Sequence, residues 1–214
     1  MKLLGTRHPL LGKKAVPIDM VIPEDKRFVV LSGPNTGGKT VSLKTLGLSV
    51  LMRQAGIAVQ ARSESTLPVF HRILVDIGDE QSISADLSTF SGHLSRIREC
   101  LEAADAGSLV LLDELGAGTD PEEGAALALA VGEAFLRTGC LCMATSHYAA
   151  VKALAYTENR AMNASMDYNP QEARPTYRVV LGLPGASHAL DTAERVGLLP
   201  EIVARARSIA MAKD

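Results

Sequence analysis

Eight consecutive residues, Gly33, Pro34, Asn35, Thr36, Gly37, Gly38, Lys39 and Thr40, satisfy the pattern G-x-x-x-x-G-K-[ST]. The glycines let the main chain turn tightly and bring its N–H groups up to an anion, the lysine adds a mobile cation, and the hydroxyl offers a hard oxygen to a divalent cation. At ordinary residue usage the chance of such a match in a chain this long is about 1%. The N–H groups of Thr36 through Thr40 would cradle a β-phosphate, Lys39 would reach the β and γ oxygens, and the Thr40 hydroxyl would sit on Mg²⁺. A nucleoside triphosphate site is therefore expected. Its second half is the acid pair Asp113 and Glu114: Asp113 would hold Mg²⁺ through water and Glu114 would polarise an attacking water. By itself an acid pair at a strand end also reads as a solvated turn, and the upstream loop favours the functional reading. A base beside the Mg²⁺-binding acid favours hydrolysis over phosphoryl transfer. His147 would emerge at the same edge, as a sensor of or hydrogen-bond donor to a γ-phosphate.

These residues need elements to hold them. An apolar run at residues 27–31 reads as a strand, and a helical pattern follows the glycine-rich loop over residues 39–52. Residues 108–112 and 140–145 are two further buried-strand runs, each ending in polar residues. Between them Asp120 is placed as N-cap and Pro121 as a first-turn residue of an Ala/Leu-rich helix reaching Arg137, which Thr138 and Gly139 stop. Strand, helix and strand in that order predict a right-handed crossover, so these strands should lie parallel and form the centre of one sheet with 27–31. Residues 1–22 read as a loop and an alternating edge strand, 57–77 as short apolar stretches broken by Pro68, and 88–104 as a helix. Residues 177–181 read as a late hairpin-type strand, and 189–211 as two helical stretches divided near Pro200. Two polar segments, from Asp76 to Gln81 and from Asp86 to His93, interrupt the apolar pattern. Ser88 or Thr89 would cap the helix that follows, or its free N–H groups would face an anion on an opposing subunit.

Composition narrows the class. The chain has 214 residues, 22 Lys+Arg against 24 Asp+Glu, 47% hydrophobic and 4% aromatic residues, and no Trp. That is a globular balance, unsuited to disorder, to a stacking platform for single-stranded bases, or to wrapping a long polyanion unaided. Three cysteines, an odd number without metal-like spacing, point to the reducing cytoplasm. No apolar run approaches the length of a membrane span, and no membrane association is expected. His8, His71, His93 and His188 lack metal-ligand spacing and read as surface or packing residues, so no structural metal is assigned.

Taken together, the motifs resemble the ATPase domain of the MutS proteins, within the ABC-type P-loop ATPases. The resemblance spans nearly the whole chain. It rests on Arg7-His-Pro9, the loop from Gly33 to Thr40 with Leu43 and Lys44, the run from Leu109 to Glu114, Gly116-Ala-Gly-Thr-Asp-Pro121, and Ala144-Thr-Ser-His147. It implies a three-layer α/β P-loop fold over residues 1–185 with a C-terminal helical dimerisation segment at 186–214, and ATP with Mg²⁺ as ligands. It also implies Lys39 and Thr40 as phosphate and metal ligands, Asp113 as the Walker B acid, Glu114 as the catalytic base and His147 as the switch histidine. Ser88, with Thr89 and Phe90, corresponds to the segment that reaches the opposite subunit's γ-phosphate. It stands where transporter motors carry Leu-Ser-Gly-Gly-Gln, which disfavours a transporter-type ABC subunit.

The runs Ile77-Gly-Asp-Glu-Gln-Ser-Ile83, Asp86-Leu-Ser-Thr-Phe90 and Gly118-Thr-Asp-Pro-Glu-Glu-Gly124 resemble the second bacterial MutS type. That resemblance implies a homodimer whose full-length form embraces branched DNA, suppresses recombination, in some bacteria rescues collided ribosomes, and usually carries a nuclease domain. The chain then reads as a fragment of such a protein. A nucleotide-binding dimerisation module with negligible turnover is the alternative of a different class. The base itself is not legible in the residues; ATP comes from the resemblance.

Overall fold

The computed structural model describes residues 1–78, 89–169, 172, 174–185 and 189–211. In chain order the strands are β1 (Lys2–Thr6), β2 (Ile18–Val21), β3 (Phe28–Ser32), β4 (Arg72–Asp76), β5 (Ser108–Leu112), β6 (Leu141–Thr145), β7 (Ala161–Asn169) and β8 (Arg174–Leu181). The α-helices are α1 (Lys39–Gln54), α2 (Thr89–Ala103), α3 (Pro121–Thr138), α4 (Ala149–Thr157), α5 (Ala189–Arg195) and α6 (Pro200–Met211). Among the described residues the central sheet runs β4-β5-β6-β3-β7-β8, parallel from β4 to β7, with β8 antiparallel at one edge.

The expected centre, β5 beside β6 beside β3, is present and parallel. β3, β5 and β6 are buried at every position, so they read as continuous apolar runs instead of alternating ones. Their side chains still alternate between two cores. Val29, Leu31, Leu109, Leu111 and Met143 face α1 and the β1–β2 pair, packing on Leu43, Leu46, Val50 and Leu3. Phe28, Val30, Val110, Leu112 and Cys142 face the other way, onto Ile97 of α2, Phe135 of α3 and Leu154 of α4. Helices thus cover both faces of a mostly parallel sheet, an α/β arrangement.

Local sequence explains the best-defined element ends. The Asp120 carboxylate accepts the N–H groups of Glu122 at 2.9 Å and Glu123 at 3.2 Å, and Gly139 closes α3 in the left-handed conformation with φ 77°. Two positions press elements together where any side chain would intrude. A Cβ on Gly47 of α1 would stand 2.9 Å from Leu111 Cδ1, and one on Gly132 of α3 would stand 3.2 Å from the Phe28 ring.

Three features differ from the sequence reading. The alternating N-terminal strand is not an edge of the central sheet: β2 pairs antiparallel with β1 in a separate two-stranded sheet, and their apolar sides cap α1. β7 went unanticipated because Ala161, Asn163, Ala164 and Ser165 carry little β-propensity; small residues suit a strand enclosed between β3 and β8. Helix α4, only nine residues long, was also unanticipated. The C-terminal segment forms two helices with Pro200 opening the second, tied by Arg207, whose guanidinium donates to Asp191 and Glu194 at 3.0 Å each.

Phe135 is fully buried in the core beneath α3. Phe135→Ala is expected to lower unfolding free energy by about 3–5 kcal/mol, through lost transfer energy plus a residual cavity, as measured by urea denaturation.

Candidate functional site

The glycine-rich loop begins where β3 ends. Gly33 has φ 132°, and a Cβ there would stand 3.0 Å from Met166 Cβ, so β7 presses on the loop and only glycine fits. The loop is also closed from behind: a Cβ on Gly185 would stand 3.0 Å from the Gly33 nitrogen, and the Gly185 N–H donates to Ser32 Oγ at 2.7 Å. A 3-10 turn at Asn35–Gly37 and Gly38 in the left-handed conformation, φ 89° and ψ 22°, then lead into α1. Gly38 is the N-cap of α1 and has no side chain to accept a first-turn N–H. The N-terminus of α1, with the positive end of its dipole, therefore faces the loop's concave side.

Lys39 is 5% exposed, and its ammonium donates to the Gly33 carbonyl at 2.8 Å. Burial lowers its pKa from the usual lysine range, an effect partly offset by attraction to Glu114 and Asp113. The next residue, Thr40, donates its hydroxyl to Asp113 Oδ2 at 2.6 Å. Loop, helix start and the end of β5 therefore converge, although β6 lies between β3 and β5 in the sheet.

The intervening strand takes part as well. Thr145, the last residue of β6, is fully buried and donates its hydroxyl to Asp113 Oδ1 at 2.6 Å. The Thr145 hydroxyl oxygen in turn accepts the Glu114 N–H at 2.7 Å. Asp113 is thus held by one threonine on each carboxylate oxygen, and Glu114 is held by its backbone. Glu114 adopts φ 49°, a left-handed conformation costing a non-glycine residue about 1 kcal/mol or more, which its N–H bond to Thr145 helps sustain. The turn lifts Glu114 out of the strand into solvent. Asp113 and Glu114 line a cavity of about 110 Å³ with Gly78, Phe90, His93, Ala117 and Gly118.

His147 follows β6 by two residues and is exposed, with its ring centroid 4.1 Å from that of Tyr148. Tyr148 in turn donates to the Gly116 carbonyl at 3.1 Å, joining the end of β6 to the turn after Glu114. Ser88 lies outside the described residues. Hard oxygen donors from Thr40 and Asp113, side by side and largely enclosed, suit Mg²⁺; no cluster of three or more His, Cys, Asp or Glu suited to a metal occurs among the described residues.

Beyond the loop a larger cavity of about 450 Å³ opens, lined by Thr36, Gly38, Lys39, Thr40 and Val41 together with His8, Leu11, Ala15, Val16 and Tyr177. The loop residues offer main-chain donors and a lysine, and Leu11, Ala15, Val16 and Tyr177 add apolar surface. The Tyr177 ring reaches within 3.3 Å of where a Gly38 Cβ would be, and its backbone has φ 62°. The Arg7 guanidinium donates to the Ala15 carbonyl and so shapes the rim.

The sequence reading gave no site role to Thr145, to Tyr177 or to the rim residues. A lone polar residue ending an apolar strand was the available signal for Thr145; nothing local marked Tyr177, which arrives through β8. His93, read as a surface or packing residue, packs on the buried Asp76, with Nδ1 2.8 Å from its carboxylate. Thr145→Val would strip a partner from Asp113 Oδ1 and from the Glu114 N–H. A stability loss of about 1–3 kcal/mol is expected by chemical denaturation, with Thr145→Ser close to the parent.

Among the described residues no helix is long and apolar enough to cross a membrane. Residues 29–213 match MutS domain V. The Endonuclease MutS2 of Thermomicrobium roseum is 53% identical over 210 residues, 98% of this chain and 26% of that protein. That of Halothermothrix orenii is 46% identical over 214 residues, 100% of this chain and 27% of that protein. That of Symbiobacterium thermophilum is 52% identical over 201 residues, 94% of this chain and 25% of that protein. The chain spans about a quarter of the length of these curated relatives. With the match to domain V covering most of its residues, the chain belongs to the MutS family.

Proposed function

We propose that the chain is an ATP-hydrolysing motor of the P-loop, ABC-type class, working as a homodimer. The observation that carries this reading is the Thr40–Asp113 contact at 2.6 Å beside Lys39, at the open N-terminus of α1. ATP is the substrate. Its phosphates would lie over residues 33–40, where the N–H groups of Gly37, Gly38, Lys39 and Thr40 and the Lys39 ammonium answer the charge. The nucleoside would extend into the 450 Å³ cavity, with Tyr177, Leu11 and Val16 supplying the apolar surface.

When bound by Thr40 and Asp113, Mg²⁺ would neutralise charge on the β and γ oxygens. Glu114, turned out of the strand by its left-handed backbone, would take a proton from the water that attacks the γ-phosphorus, leaving ADP and phosphate. His147, at the end of the strand between the two halves of the site, would donate to a γ oxygen. Ser88 would approach the nucleotide of the second subunit, completing a composite site in the dimer.

The C-terminal helical pair and the turn between its helices would supply part of the dimer contact: Val196 at 73%, Leu199 at 55% and Ile202 at 47% exposure are apolar side chains left uncovered there. Residues 1–185 would then be the ATPase body and 186–214 its dimerisation segment. The relatives bear the name Endonuclease MutS2, which favours nucleic acid over a membrane transporter as the load. Closure of the dimer on ATP would alter the grip of other parts of a longer cytoplasmic protein on branched DNA or on ribosomes, as in the suppression of recombination or ribosome rescue.

Glu114→Gln is expected to retain ATP affinity and to slow steady-state phosphate release about 10²–10⁴-fold, the usual contribution of a general base; an unchanged rate removes Glu114 from that role. Lys39→Ala is expected to weaken ATP binding in calorimetry. Specific activity should rise with protein concentration in parallel with dimer content by sedimentation; constant activity in a monomeric sample would refute the composite site.

A further inference from the structure

Asp76 is the last residue of β4 and is 1% exposed. A carboxylate taken so far out of water needs strong partners, and α2 provides them. His93 Nδ1 lies 3.0 Å from Oδ1 and 2.8 Å from Oδ2, and an Arg96 guanidinium nitrogen lies 3.3 Å from Oδ1. An ionised carboxylate only accepts, so Nδ1 carries the hydrogen. His93 and Arg96 are three residues apart and share one side of the helix.

The main chain of the same aspartate has a second task. Its carbonyl accepts the Asp113 N–H at 2.8 Å. One buried residue thereby holds α2 with its side chain and Asp113 with its backbone. Phe90, in the first turn of α2, lies 3.6 Å from where a Gly118 Cβ would be, so the turn after Glu114 also rests on this helix.

We propose that Asp76 is a positioning residue through which the placement of α2 sets the placement of Asp113 and Glu114. The proposal rests on the nucleotide-site reading above and deepens it by naming a regulatory route. A displacement of the first turns of α2 reaches the acid pair through two hydrogen-bonded links, without passing through the phosphate loop. Asp76 is buried away from the nucleotide, and His93, although it borders the acid-pair cavity, acts in this proposal through its contact with Asp76.

The test uses the whole 214-residue chain with His93→Ala, His93→Asn and Asp76→Asn, and two readouts. The first is amide hydrogen exchange across residues 108–114 without nucleotide. His93→Ala should speed exchange there by about tenfold or more, although His93 lies on another element, and His93→Asn should restore protection because its amide N–H stands near the position of Nδ1. The second is ATP turnover and affinity: kcat should fall by about tenfold to a hundredfold in His93→Ala and recover in His93→Asn, with the ATP dissociation constant unchanged within about twofold. Faster exchange confined to α2, or kcat and affinity lost in parallel, would overturn the proposal. Should the parent chain fail to bind ATP with Mg²⁺, the nucleotide-site reading falls, and the exchange experiment alone decides the link. If Asp76→Asn does not fold, the two His93 variants carry the test.

Discussion

The Asp113 carboxylate is the point on which the site converges. One oxygen accepts from Thr40, at the start of α1, and the other from Thr145, at the end of β6; its backbone N–H reaches the Asp76 carbonyl at the end of β4. The start of α1 and the ends of β4, β5 and β6, spread over more than a hundred residues, are thus registered against a single residue, through its side chain and its backbone. Charge-assisted bonds of this kind are short and strong where water is largely excluded, and Asp113 is 8% exposed. Without it, the loop and the acid edge would be two unrelated surfaces.

Sheet order makes the convergence possible. Because β6 stands between β3 and β5, the loop after β3 and the acids after β5 are separated by one strand's width. That gap is bridged by side chains from both directions, and Thr145 occupies its middle. The twin cores on the two faces of the sheet keep those strand ends from moving independently: Leu111 and Met143 pack against α1, while Leu112 and Cys142 pack against the layer of α2, α3 and α4. Close packing of this sort leaves little freedom for a strand end to shift without its neighbours.

Strain is concentrated where chemistry is proposed. Gly33 and Gly38 take positive φ angles that glycine adopts readily, whereas Glu114 and Tyr177 take them with full side chains. Both of these non-glycine residues face the site, one beside the acid edge and one over the loop. Their settings differ: the Thr145 hydroxyl holds the Glu114 backbone, whereas Tyr177 sits where β8 slips register against β7, an irregularity that accommodates its positive φ. Backbone energy stored in this way directs side chains toward positions that relaxed strands would not present.

Much of this was legible in the residues alone. The glycine-rich loop, Lys39, Thr40, the Asp113–Glu114 pair, the parallel centre of the sheet and the Asp120 cap are local signals, because each depends on residues a few positions apart whose conformational preferences act on themselves. Sequence could not show that Thr145 rather than a neighbour would hold Asp113, that His93 would answer a buried charge, or that β7, with its small unbranched residues, would seat the loop through Met166. Those assignments depend on which strand ends lie side by side and which helix covers them. They arise from burial, which gives a polar group a partner only after the chain has closed around it.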